Sequence, residues 1–357
     1  DGFRGITGVL GSSNSLVGSV AGDRVGAVGS VTVLSNGNYF VRSSYWGGGA
    51  SGTVASSKGA ITWGSGTLGV IGEVSSSNSL VGSAAGDNVG SSAGTALLSN
   101  GNAVVLSPLW GSGDGTAANA KGAMTWINGA TGLTGTLDAS NSLVGSAAGD
   151  NVGSGTVTAL NNGNAVITSP LWGSGSGTTA NAKGAVTWMN GTTGLTGTLS
   201  DLNSLVGGAV GDRVGTTGIT ALTNGNYIVR SAFWGGGASA TAATSKGAIT
   251  WGSGTSGISG VVSSSNSLVG STAGDAVGYG AVGTGIGINT LSNGNAVIAS
   301  PMWGSGNGTT ANAKGAVTWI NGSTPLTPGT LDSSNSLVGG TTGDRVGSGP
   351  VIELSNG

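Results

Sequence analysis

The stretch Val157-Thr158-Ala159-Leu160-Asn161-Asn162-Gly163-Asn164-Ala165-Val166-Ile167-Thr168 decides the fold class. Its first four residues alternate apolar and polar and include β-branched types, as a half-buried strand requires. Asn-Gly then supplies the positive φ of a tight hairpin turn. Ala165 to Thr168 reads as the returning strand, stopped by Pro170. Beyond a Gly/Ser/Thr loop, Lys183-Gly184-Ala185-Val186-Thr187-Trp188 reads as a third strand. Asn190-Gly191 is a second hairpin signal, and Gly194-Leu195-Thr196-Gly197-Thr198-Leu199 reads as a fourth, weaker strand. No 3.6-residue apolar period is long enough for a helix.

Outward from this segment the same pattern recurs. Asn-Ser-Leu-Val-Gly begins at Asn14, Asn78, Asn141, Asn203, Asn266 and Asn335, in steps of 64, 63, 62, 63 and 69. Gly-Asp-x-Val-Gly carries Asp23, Asp87, Asp150, Asp212, Asp275 and Asp344. Asn-Gly-Asn is centred on Gly37, Gly101, Gly163, Gly225 and Gly294. All ten tryptophans fall into two series. Trp46, Trp110, Trp172, Trp234 and Trp303 each precede a glycine, while Trp63, Trp126, Trp188, Trp251 and Trp319 end Lys-Gly-Ala-x-Thr-Trp. The chain is therefore one repeat domain, 1–357, with repeats at approximately 23–86, 87–149, 150–211, 212–274 and 275–343 and partial repeats at 1–22 and 344–357. The longest step comes from extra residues in Tyr279-Gly280-Ala281-Val282-Gly283-Thr284-Gly285, which a surface loop absorbs at small entropic cost. Repeats one and four read Asn-Tyr-(Phe/Ile)-Val-Arg. The others read Asn-Ala-Val, so the order A-B-B-A-B suggests a duplicated three-repeat unit.

Four short strands per repeat of about 63 residues predict an all-β chain. The expected architecture is a β-propeller of five four-stranded repeats plus partial repeats at both ends. A β-solenoid is the alternative, although its coils are usually shorter. The chain opens with Gly5-Ile6-Thr7-Gly8-Val9-Leu10, read as a fourth strand, and closes after Val351-Ile352-Glu353-Leu354, read as a first strand. Both ends contain Asn-Ser-Leu-Val-Gly, so they overlap and do not complete one blade. That points to a longer array, to chains joined end to end, or to a five-bladed ring with two spare strands.

Composition narrows the function. Of 357 residues 76 are glycine, 7% are charged, and the net charge is −2, with no Lys/Arg stripe of the kind phosphate binding needs. Nucleic acid is therefore not an expected partner. No apolar run of eighteen residues exists to insert in a membrane, and the first residues lack the basic-then-apolar order of a signal peptide. Without Cys or His, disulfides, most transition-metal sites and neutral-pH general bases lose their usual residues. Outside the repeated Asp, the acids Glu73, Asp114, Asp138, Asp201, Asp332 and Glu353 are scattered, so no carboxylate pair suggests a glycosidase. The expectation is a non-catalytic chain with no metal and no cofactor.

The run Asp-(Arg/Asn)-Val-Gly, Val-Thr-x-Leu, Asn-Gly-Asn, Val105-Leu106-Ser107-Pro108 and Gly184-Ala185-Val186-Thr187-Trp188 resembles the FG-GAP blade of integrin-α-type β-propellers. The whole repeat is also similar to repeats of very large bacterial haemagglutinin-like surface proteins. This resemblance implies a cell-surface or extracellular protein. FG-GAP blades often hold calcium in an Asp-rich loop, but here the matching loops read Ser35-Asn36-Gly37-Asn38, Ser99-Asn100-Gly101-Asn102 and Asn161-Asn162-Gly163-Asn164. Asn lacks the charge of a tight calcium site, so calcium is not carried over.

Each repeated residue admits a functional and a structural role. The six Asp form either a ring of ligand contacts or turn caps that accept backbone N–H bonds. Lys58, Lys121, Lys183, Lys246 and Lys314 meet an anion or stand as solvated charges. The strand-borne tryptophans point to blade-to-blade packing. The loop-adjacent Trp46, Trp110, Trp172, Trp234 and Trp303 are the ligand-binding candidates, as sugar-stacking faces, with loop anchoring as their structural alternative. Two functions follow. One is a structural or adhesive extracellular repeat protein that associates with itself or with neighbouring repeats, or forms fibres. The other is a multivalent lectin for glycans, with one weak site per repeat.

Overall fold

The computed structural model describes residues 8–27, 31–91, 95–280 and 287–354. Residues 5–7 of the opening segment, 281–285 of the insertion, and Asn356-Gly357 lie outside the described residues. The chain is all-β and built of propeller-like sheets of four or five short strands, with a two-stranded sheet, Leu16–Val17 and Gly72–Glu73, near its start. Its contacts divide it into two compact units. One comprises Asp1–Ala159, Gly175–Gly177 and Asn190–Leu199, and the other Leu160–Ser174, Thr178–Met189 and Ser200–Gly357.

In the first unit the sheet of the second repeat shows the local logic. Thr95–Leu97 and Ala103–Ser107 pair antiparallel, followed by Ala123–Ile127. The turn between the first two is the tight hairpin expected from Asn-Gly, with the glycine at positive φ. Gly101 N–H donates to Leu98 O at 3.0 Å, Leu98 N–H donates to Asn102 O at 2.8 Å, and Gly101 takes φ 85°. This is a three-residue loop, a turn followed by a left-handed glycine. The Asn side chain before that glycine receives the next N–H but one, as Asn100 Oδ1 does from Asn102 at 3.1 Å.

The fourth strand departs from the sequence reading. The expected segment Gly194 to Leu199 contributes only Gly197–Thr198, which pairs in parallel with Leu143–Val144 of the preceding repeat. The strand that completes each sheet is instead the Leu-Val of Asn-Ser-Leu-Val-Gly. Leu143–Val144 runs antiparallel to Ala123–Ile127 on one edge and accepts Gly197–Thr198 on the other. The same exchange joins Ser79–Val81 to Gly135–Thr136 in the first unit. In the second it joins Leu205–Val206 to Gly260–Val261 and Leu268–Val269 to Gly329–Thr330. Two residues are too few for periodicity to reveal a strand, and their partner lies in the neighbouring repeat.

A buried hydroxyl pair sets the register of the Leu-Val strand against the Trp-bearing strand of its own repeat. Thr125 Oγ1 and Ser142 Oγ meet at 2.7 Å, as do Thr62 with Ser79 and Thr250 with Ser267 at 2.6 and 2.7 Å. Such buried groups cost stability unless paired, so a one-residue slip is penalised twice: once in the hydroxyls and once in side-chain facing. The apolar cores also cross repeat boundaries. In the first unit Phe40, Ile61 and Leu80 of one repeat pack with Val105, Ile127 and Leu137 of the next. The segment Val351 to Leu354 is not a strand; Glu353 instead accepts from the Ser292 N–H at 2.7 Å and the Ser292 hydroxyl at 2.6 Å.

Candidate functional site

The repeated aspartates are turn clamps. Asp87 is fully buried: Oδ2 accepts from Ser83 N–H at 2.7 Å, Ala84 N–H at 2.8 Å and the Ser83 hydroxyl at 2.9 Å, while Oδ1 accepts from Gly111 N–H at 2.9 Å. One carboxylate thus ties its own turn to the turn after Trp110. Asp23 and Asp275 do the same for Gly47 and Gly304, each at 3.0 Å, and Asp212 for Gly235 at 3.0 Å. Asp150 accepts from Ala147 N–H at 2.8 Å. Asp344 is exposed and accepts from Thr341 through both its N–H and its hydroxyl at 2.8 Å. Those bonds hold its carboxyl below the ordinary aspartate value. The residue after each Asp stands in the left-handed region: Arg24, Asn88, Asn151, Arg213, Ala276 and Arg345 have φ between 42° and 54°. Among the described residues no three acidic groups gather as a metal site would require.

The glycine after each loop tryptophan lies against the stem of the repeat's lysine. A Cβ at Gly111 would stand 3.3 Å from the Lys121 chain, and one at Gly47 would stand 3.2 Å from that of Lys58. The loop tryptophans Trp46, Trp110, Trp172, Trp234 and Trp303 are all half-buried. Trp110 packs on the core of the first unit, and Trp234 and Trp303 on those of the second. The indole N–H groups of Trp46, Trp110, Trp172 and Trp303 are buried with no acceptor, so only a ring face or edge is open to a ligand there. Trp46 lines a shallow cleft with Lys58, Ser75, Ser76, Ser83 and Thr136, hydroxyl-rich and facing solvent.

A second constellation escaped the sequence reading. Three donors converge on one carbonyl of the next repeat: Asn36 Nδ2, Asn38 Nδ2 and Trp63 Nε1 each reach Gly129 O at 3.0 Å. Asn100, Asn102 and Trp126 converge on Gly191 O at 2.8 Å each. In the second unit, Asn162 and Asn164 meet Gly254 O at 2.8 Å and Trp188 meets it at 3.1 Å. The second Asn also faces backward, since Asn102 Oδ1 accepts from Gly129 N–H at 3.0 Å. Asn-Gly-Asn is therefore both a turn and a staple between repeats. Below the indole the next repeat must offer no side chain: a Cβ at Gly132 would lie 2.4 Å from the Trp63 Cβ. The regular occurrence of Trp63, Trp126 and Trp188 at a nearly constant distance before Gly132, Gly194 and Gly257 was the signal available in the sequence.

With this geometry in place, comparison identifies the class. The profile of a family described as "Repeat of unknown function (DUF5650)" matches residues 1–27, 33–91, 97–154, 159–216, 221–279 and 290–348. The chain belongs to that repeat family. The matched repeat is this one and not the FG-GAP blade that its motifs resemble. No curated protein matches the sequence. Among solved structures, the chain is similar to a family PL25 polysaccharide lyase, an ulvan lyase, bound to -[GlcA(1-4)Rha3S]-. Identity is 9% and the TM-score 0.28, covering 90% of this chain and 71% of the other. A second ulvan lyase structure of the same family aligns at 9% identity and a TM-score of 0.27 over the same shares. The expectation of a non-catalytic chain is corrected by this comparison: these two solved structures that align with the repeats are enzymes, and scattered acids do not exclude activity. At that TM-score the likeness assigns neither an activity nor a substrate to this chain.

Proposed function

We propose that the chain is a structural or adhesive repeat protein of the cell surface or extracellular space. The observation that supports this reading is how the repeated polar residues are engaged. Asp87, Asn100, Asn102 and Trp126 are all committed to bonds within or between repeats. Residues engaged in this way make an interlocked scaffold, in which each repeat is stabilised in part by its neighbours. Low charge and Ser/Thr/Asn/Gly loops suit a surface exposed to solvent without strong electrostatic partners, and the likeness to bacterial haemagglutinin-like repeats agrees with it. Immunogold labelling of the producing cell tests the reading. Label on the outer surface or on shed material is the expected result, and label confined to the cell interior overturns it.

The Trp46 cleft favours a second reading, glycan binding. A half-buried indole beside serine and threonine hydroxyls and a lysine offers a stacking face and hydrogen-bonding groups of the kind a sugar uses. A glycan array probed with the intact chain discriminates: selective binding that Trp46→Ala weakens supports it, and a flat response removes it.

A further inference from the structure

We infer that a cleft over Trp251, in the second unit, binds an uncharged pyranose ring. The cleft arises where one repeat departs from the others. In the first four repeats a glycine six residues after the strand tryptophan closes the turn: Gly69, Gly132, Gly194 and Gly257 take φ between 72° and 74°. Each donates its N–H to the carbonyl four residues back, of Ser65, Asn128, Asn190 or Ser253, at 2.8 Å. The last three glycines also lie directly on the tryptophan of the preceding repeat. A Cβ at Gly132, Gly194 or Gly257 would stand 2.4, 2.7 or 2.6 Å from the Cβ of Trp63, Trp126 or Trp188.

The fifth repeat has Pro325 at this position. Its interval from Trp319 to Asn335 is 16 residues, where Trp251 to Asn266 is 15, and the additional residue is Pro328. Proline has no N–H to give and its φ is held near −65°, so the inner turn cannot form. Ser65, Asn128, Asn190 and Ser253 each bridge to their glycine, and no such bridge joins Asn321 to Pro325 among the described residues. Nor can a proline ring approach the underlying indole as closely as a glycine. The turn therefore stands off Trp251. A cleft of about 260 Å³ opens between Trp251, Ile258 and Ser265 of the fourth repeat and Pro325, Leu326 and Pro328 of the fifth. Its walls are held in place: Trp251 Nε1 donates to Gly322 O at 3.0 Å, and Trp251 and Leu326 both pack on the core of this unit.

The lining selects the ligand. A volume of about 260 Å³ is below the roughly 300–1,000 Å³ of sites for drug-sized molecules, so a single ring is the size that fits. No lining residue carries a charge, so an ionised carboxylate or sulfate would lose its hydration there without gaining a partner. The indole and the two prolines present apolar ring surfaces, suited to the C–H face of a pyranose. The rim is polar. Ser265 is exposed, and its hydroxyl shares one bond with the Ser263 hydroxyl at 2.7 Å, which leaves capacity to meet a sugar hydroxyl. This site shares no residue with the Trp46 cleft and is built on the tryptophan series that the sequence assigns to packing.

Saturation-transfer difference NMR of the intact chain with methyl β-glucopyranoside, methyl β-galactopyranoside, glucuronic acid and phenol tests this. Two variants accompany the wild type. In one, Pro325→Gly is combined with deletion of Pro328, which restores the turn of the inner repeats. In the other, Ser265→Leu changes only the exposed rim, where the third repeat carries the exposed Leu202. Far-UV circular dichroism verifies that both fold. At least one methyl glycoside is expected to bind, with transfer strongest to the C–H protons of one ring face. Glucuronic acid is expected to bind at least about tenfold more weakly. The turn variant should lose about tenfold or more in affinity, and Ser265→Leu about threefold or more. A chain that takes neither glycoside, one that takes phenol alone, glucuronic acid bound as well as the neutral sugars, or variants that bind like the wild type overturn the proposal. Binding that both variants keep and Trp46→Ala removes belongs to the Trp46 cleft alone, so the two glycan readings fail separately.

Discussion

Trp126 and Trp319 close the same Lys-Gly-Ala-x-Thr-Trp sequence and end equivalent strands, yet they live in different environments. Trp126 is half-buried, and its indole donates to Gly191 O at 2.8 Å beneath the turn of the following repeat. Trp319 is 56% exposed and its Nε1 meets no acceptor among the described residues. Both are followed by Ile-Asn-Gly, and the next turn then differs, with Pro325 and Pro328 at the distances from Trp where the second repeat has Gly132 and Gly135; what differs at the strand itself is whether a further repeat is seated on it. Part of the burial of an inner repeat is therefore supplied by its neighbour, as in nearest-neighbour repeat proteins.

The largest effect expected from this contrast concerns the clamps. Asp87→Ala leaves Ser83, Ala84 and Gly111 N–H groups without a carboxylate in a buried site. It should destabilise the second repeat by about 3 kcal/mol, within the range for stranded buried donors. The same change at exposed Asp344 should cost well under half of that. Local stability measured by amide hydrogen exchange checks the pair, and equal losses would break the comparison.

Next comes the indole itself. Trp126→Ala should cost about 2–3 kcal/mol, from lost apolar burial together with an unsatisfied Gly191 carbonyl, whereas Trp319→Ala should cost less than about 1 kcal/mol. Urea titration followed by the remaining tryptophan fluorescence separates them. If the two variants are equally destabilised, seating of the following repeat is not what differentiates the positions.

A smaller and opposite effect is expected at Ala276. It holds φ 42° where Asn88 and Asn151 stand in other repeats, and a left-handed alanine carries strain of roughly 1 kcal/mol that Asn tolerates better. In addition, Asn88 Nδ2 donates to Val54 O and Gly86 O at 2.6 and 2.7 Å. Ala276→Asn should therefore stabilise by about 0.5–1 kcal/mol, read as a raised thermal midpoint.

The smallest expected effect is acid loosening of the Asp344 turn. Its carboxyl sits below 3.8 in the folded chain, chiefly through the Thr341 N–H and then the Thr341 hydroxyl. Because the folded value is depressed, the stabilisation is complete above the unfolded value and declines as pH falls through the folded one. Exchange of the Thr341 amide should accelerate, relative to its intrinsic rate, only below the ordinary aspartate range. Loosening at higher pH would contradict this.

Much of this was legible in the residues. Repetition, the first three strands, the Asn-Gly turns and the structural share of the Asp and strand Trp all follow from spacing and side-chain chemistry. The Leu-Val strand was visible only as a marker, because two residues carry no period. The left-handed residue after Asp was hidden because Arg, Asn and Ala all occupy it. The stapling role of Asn-Gly-Asn was masked by the turn role the same residues also perform.

By itself, the sequence determined that the chain is a β-rich array, where its turns fall, and which polar residues recur once per repeat. Those are local matters, set by backbone preferences and by a period of two along each strand. Only the tertiary structure decided that each repeat sends its Gly-x strand into the sheet before it. It also decided that one glycine carbonyl gathers two asparagines and a tryptophan. These depend on pairings between residues about sixty positions apart, where identical local sequences compete for the same partners and the seating of the neighbouring repeat selects among them.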